Sequence, residues 1–155
     1  METITGMDIM IAQTIQLAIA PVFVLVAVGN IMSILTTRLG RVVDRWRELK
    51  SEFSTTTGDE HDELVRELRV IDQRMDKIGS SLRLLVLTAL SIGATIVVLF
   101  IDEFAHIGLQ RIAAGTFIVG IITLMWALLL FLRETQIARE ALRIPDNYLE
   151  RDRKL

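Results

Sequence analysis

Apolar and charged residues follow one another along this chain in blocks. Residues 9 to 37, 84 to 101 and 112 to 132 contain no Asp, Glu, Lys or Arg. Each run reaches or approaches the roughly 20 apolar residues that a helix needs to cross a bilayer core. The pattern predicts three transmembrane helices. Between the first two, apolar residues return at spacings of three and four: Leu39, Val42, Trp46, Leu49 and Phe53, then Leu64, Leu68, Ile71, Met75, Ile78 and Leu82. That alternation is the seam of a coiled coil. "STTTGDE" separates the two runs, with Gly58 as a break and with Thr57 and Glu60 spaced as a capping box. The expected architecture is an all-α integral membrane protein: transmembrane helix 1 over 9–37, a cytoplasmic coiled-coil-like hairpin over 38–83, transmembrane helices 2 and 3 over 84–101 and 112–132, and a cytoplasmic helical tail over 133–155.

No strong breaker lies between Asn30 and Phe53 or between Leu64 and Phe100, so the membrane helices are expected to run unbroken into the arms of the hairpin. Gly79, Ser80 and Ser81 form a soft point, read either as a hinge or as a close helix contact. The third helix is expected to continue to Ile144, where Pro145 ends it. "DNYLERDRKL" then supplies a short final helix.

Charge orients the chain. Of the 17 Lys and Arg, ten lie in 38–83, six in 133–155, one is Arg111 and none precedes residue 38. Basic residues stay on the cytoplasmic side, which places the N-terminus and the 102–111 loop outside and the hairpin and C-terminus inside. The first apolar run is too long for the h-region of a cleavable signal and has nothing basic before it, so it reads as a retained anchor. The absence of cysteine excludes disulfides and thiolate metal sites.

Heptad steps along the first helix trace a line of polar, small and aromatic residues: Gln13, Gln16, Ala20, Phe23, Ala27, Asn30, Ile34, Thr37 and Arg41, flanked by Gly29, Ser33, Thr36 and Gly40. The other side, through Ile15, Val22, Leu25, Val26, Val28, Met32 and Leu35, is nearly all aliphatic. Helices associate in lipid through small residues and interhelical hydrogen bonds. Two readings follow: the line packs against the second or third helix of the same subunit, or it meets copies of itself around a path. Three spans cannot enclose a channel alone, so a pore requires a ring. Pro21 removes the hydrogen bond to the Leu17 carbonyl and is the gating candidate, although proline is ordinary in membrane helices.

Basic residues cluster just beyond the first span. Arg38, Arg45 and Arg47 suit anionic lipid headgroups at about 1 kcal/mol each, while Arg41 with Arg38 would favour anions if they faced an inner vestibule. Asp44 and Glu48 stand at pairing distance along the helix, and this interleaving argues against nucleic acid as a partner. No charged residue or histidine lies in a span, so there is no intramembrane proton relay or catalytic carboxylate pair. His106 with Asp102 and Glu103 lacks a second ligand cluster, and His61 in "GDEHDE" is explained by the acidic first turn of a helix. No catalytic residue, metal site or cofactor is expected, and the protein is read as no enzyme.

"IQLAIAPVFVLVAVGNIMSILTTRLGRVVDR" with two spans behind it resembles a bacterial membrane family, domain of unknown function 2721. The resemblance rests on Ala20 and Pro21 in the first helix and on Thr37, Arg38, Leu39, Arg41, Asp44 and Arg45 at its exit. It implies a bacterial inner membrane location and brings no activity. The leading expectation is a homo-oligomeric, multi-pass protein forming an ion-conducting pore lined by the first helix. The alternative is a non-conducting scaffold whose hairpin binds a cytoplasmic protein. The topology gives a direct test: a cysteine introduced as Thr56→Cys should react with an impermeant maleimide only after the membrane is opened, and labelling in intact cells would reverse the orientation.

Overall fold

A computed structural model describes residues 2–105 and 107–141 of the 155-residue chain, with side chains placed for 12–105 and 107–138. The expected Pro145 stop and the final helix lie outside the described residues. Three helices follow in order: α1 over Glu2–Glu52, α2 over Asp59–Ala105 and α3 over Gln110–Ala141. At 1.5 Å per residue these are rods of about 76, 70 and 48 Å. All three are long and apolar enough to cross a membrane. α1 continues through Pro21, and α2 continues through the Gly79 to Ser81 point without interruption.

Two tight turns reverse the chain. After α1, the carbonyl of Gly58 accepts the amides of His61 and Asp62 at 3.1 and 3.2 Å, so Gly58 itself begins α2. Its φ of 68° is a left-handed conformation natural to glycine. Among the described residues the Thr57 and Glu60 side chains form no capping box; the helix opens one residue later, on the acidic turn Asp59, Glu60 and Asp62. The turn is closed by the Phe53 ring against His61, with centroids 4.8 Å apart. At the other end Gly108 takes φ 77°. There Asp102 accepts the Leu109 amide at 2.7 Å, while the Leu109 carbonyl accepts from Ile112 and Ala113 and starts α3.

Burial repeats every seven residues on all three helices. α1 buries Thr14, Pro21, Val28, Leu35, Val42 and Leu49; α2 buries Leu64, Ile71, Ile78, Leu85 and Ile92 on one line and Ser81, Thr88 and Thr95 on another; α3 buries Ala113, Gly120, Ala127 and Glu134. α2 lies between the other two and packs along both. Leu68, Met75 and Leu39 are half-buried against the core formed by the long line. Trp46 and Phe53, expected in the seam, are exposed, and Trp46 carries Lys50 over its ring at 5.1 Å.

The seam between α1 and α2 is built of branched aliphatics, each worth about 1.5–3 kcal/mol where water is the alternative. Between α2 and α3 the apolar environment outside removes that advantage, and small and hydroxylated residues take over. Thr88 meets Thr123 at 3.0 Å, Thr95 meets Thr116 at 2.9 Å, and the Ser91 hydroxyl donates to the Thr116 carbonyl at 2.7 Å. At the same level a Cβ on Gly120 would lie 2.7 Å from Cδ1 and 3.1 Å from Cγ1 of Ile92, whose side chain is fully buried. Many other large apolar residues of these segments, among them Leu90, Val97, Ile118, Ile122 and Trp126, point outward. Gly120→Val should therefore lower stability by about 1–3 kcal/mol in a detergent thermal melt, whereas Gly115→Val, with open space around the glycine, should not.

Candidate functional site

The line predicted along α1 lies on the outside of the subunit. Gln13, Gln16, Phe23, Asn30, Ser33, Thr37 and Arg41 are all exposed, with Phe23 at 69%. Of the aliphatic side, Val28 and Leu35 are buried in the core shared with α2, whereas Ile15, Val22 and Val26 are exposed as well. Among the described residues neither the Gln16 nor the Asn30 amide has a hydrogen-bond partner. The threonine hydroxyls differ: Thr36 donates to the Met32 carbonyl at 2.8 Å and Thr37 to the Ser33 carbonyl at 3.0 Å. Among the described residues the Ser33 hydroxyl, like the Gln16 and Asn30 amides, has no hydrogen-bond partner. Gly29 and Gly40, on the same outer face, have nothing within 4 Å of a built Cβ. Their smallness serves no packing inside this subunit. Pro21 points the other way: it is buried, and with Leu17, Thr95, Ala113 and Phe117 it borders a groove of about 250 Å³ between α1 and its neighbours.

At the far end of the apolar segments the structure assembles a charge centre that the sequence reading did not anticipate. Glu134 on α3 is fully buried. One of its oxygens accepts from Arg38 of α1 at 2.7 Å and the other from Arg74 of α2 at 3.1 Å. The Arg38 guanidinium also lies over the Phe131 ring, 5.4 Å from its centroid, and its Nε is buried without a partner. A carboxylate removed from water is tolerable only when its charge is matched and its lone pairs are filled. Two guanidinium groups from two different helices do both. At the opposite end Thr14 donates to Glu103 at 2.7 Å, a lighter tie between α1 and α2.

The three arginines expected at lipid headgroups all have carboxylate partners. Arg38 is held by Glu134. Arg45 forms a two-pronged contact with Glu67 at 2.7 and 3.0 Å and reaches Glu48 at 3.1 Å. Those bonds, Glu67 first, push its guanidinium further above its ordinary range, so it is a permanent cation. Arg47 pairs with Asp44 at 3.4 Å. A signal for Glu134 existed: it continues the seven-residue line Ala113, Gly120, Ala127 on α3, and a charge at a position otherwise reserved for small residues implies a partner across the interface.

The family described as "Protein of unknown function (DUF2721)" matches residues 18–144. No curated protein and no solved structure matches the chain. Glu134→Ala should leave Arg38 and Arg74 without their shared counterion and cost about 3 kcal/mol, measured as a fall in melting temperature in detergent. Glu134→Ala combined with Arg38→Met and Arg74→Met should recover most of that loss. Equal melting of wild type and Glu134→Ala would show that the centre contributes nothing to stability.

Proposed function

The chain belongs to the DUF2721 family, and since that membership carries no activity, we propose from the exposed face of α1 that it is a self-associating, multi-pass membrane protein. In this reading copies of α1 meet along the line from Gln16 to Thr37 and surround an ion-conducting path, with the N-terminus outside and the hairpin in the bacterial cytoplasm. No catalytic step is assigned.

The observation that carries the reading is the placement of Asn30. An amide in an apolar helix that finds no partner in its own subunit is costly against lipid, and a neighbouring copy or a water-filled path supplies one. Gly29 and Ser33, Ser33 and Thr37, and Thr36 and Gly40 each stand four residues apart on the same outer face, a spacing of small residues that lets helices approach closely. The line runs through Gln13, Gln16, Phe23, Asn30, Ser33 and Thr37 to Arg41 at its inner end, where the Arg41 side chain also borders a cleft beside α2. The scaffold reading would need a surface other than the hairpin seam, where Leu68 and Met75 are packed against the subunit's own core.

Native mass spectrometry of the full-length protein in lipid nanodiscs should give a closed ring of roughly four or more copies, and liposomes containing it should pass ions. Asn30→Leu should change the conductance or its selectivity while leaving the fold intact. A monomer in nanodiscs would sink the proposal.

A further inference from the structure

We propose that the cleft where Arg41 and Arg45 of α1 face Arg66 and Arg74 of α2 is a binding site for a phosphate-bearing group, supplied by the headgroup of an anionic phospholipid. The cleft measures about 630 Å³, within the roughly 300–1,000 Å³ of small-molecule sites. Its floor is aliphatic, formed by Val42, Val70 and Ile71.

The four guanidinium groups are not equivalent. Arg45 is tied to Glu67 and to the exposed Glu48, and Arg74 turns its Nε to Glu134. Among the described residues no carboxylate pairs with Arg41 or Arg66. The two bound arginines and their acids make one wall, while Arg41 and Arg66 offer donors that no acceptor among the described residues takes up. A guanidinium fork matches the oxygens of a phosphate and binds them more strongly than a neutral donor could.

Depth selects the source of the phosphate. Arg41 stands one helical turn beyond Thr37, where the uncharged stretch of α1 ends, at the level where headgroups meet a membrane helix and attract basic side chains. An aliphatic floor beneath a guanidinium rim suits a glycerophosphate attached to acyl chains better than a free ion, which would be indifferent to Val70 and Ile71. The site stands whether or not α1 associates with copies of itself.

The test uses the full-length protein in detergent, titrated with phosphatidylglycerol or phosphatidylcholine and read by native mass spectrometry. Wild type should hold phosphatidylglycerol in preference to phosphatidylcholine. Arg41→Gln/Arg66→Gln should weaken that binding by roughly tenfold or more, at about a factor of five for each basic residue, while Arg47→Gln, paired with Asp44 outside the cleft, should change it by less than about twofold. Arg41→Lys/Arg66→Lys, which keeps the charge and loses the fork, should fall between and covers the case in which the glutamine variant does not fold. A parallel titration with inorganic phosphate separates the sources: displacement of phosphatidylglycerol by phosphate upholds the lipid site, whereas phosphate binding that depends on Arg41 and Arg66 with no preference for phosphatidylglycerol overturns the lipid assignment in favour of a soluble ligand. Equal phosphatidylglycerol binding by wild type and both double variants, with no phosphate effect, overturns the site.

Discussion

Glu134 has no surface left for water, so its charge must be answered from within the protein. The two answers come from Arg38 and Arg74, which are 96 and 60 residues away in sequence and on two other helices. Elsewhere α3 packs chiefly along α2, and at this level it is joined to α1 as well. The position of the centre follows from the composition of α1 and α3: Arg38 and Glu134 are each among the first charged residues beyond an apolar stretch. Deeper placement would add the cost of a charge in hydrocarbon; shallower placement would let water weaken the pairing. The boundary is where such a pair is both tolerable and strong.

A single seven-residue period is used in two solvents. Where the hairpin leaves the apolar segments, Val42, Leu49, Leu64 and Ile71 fill the seam, and their burial is favoured by water. Within the apolar segments α2 and α3 meet through Thr88, Thr95, Thr116, Gly120 and Thr123, because lipid gives no reward for burying leucine and proximity with hydrogen bonding must hold the helices. Val28, Leu35, Leu85 and Ile92 still fill the line through the middle of these segments, while many other large side chains, among them Leu90, Val97, Ile118, Ile122 and Trp126, point outward. The same logic isolates the outer face of α1. It has the small residues and amides of a membrane interface, yet nothing in its own subunit covers them.

The three long helices were legible because a run without charge can be read directly against bilayer thickness. Leu64, Ile71 and Ile78 were legible because their spacing reports the buried line of a helix. Trp46 shares the spacing but is exposed, since a Trp at the flank of a seam can rest its ring under Lys50 and still face water. The start of α2 differed by one residue, because a glycine carbonyl in the left-handed region served where a threonine hydroxyl was expected. Glu134 is hard to read for another reason: a carboxylate just past an apolar run looks like the end of a span, and the arginines that claim it are distant in sequence. Arg38 reads as a lipid-facing cation by the same logic, since its position along one helix says nothing about what α3 brings beside it.

α1 and α2 have no joint between their apolar segments and the turn that connects them. A rod of about 76 Å is more than twice the roughly 30 Å depth of a bilayer core, so much of the pair stands outside it. Two such rods share one buried line and are tied to α3 where Arg38 and Arg74 meet Glu134. A sideways push on the Gly58 tip would reach Asn30 and Pro21 as tilt, with no flexible segment in between to absorb it. In mechanical terms the hairpin is a handle on the membrane helices.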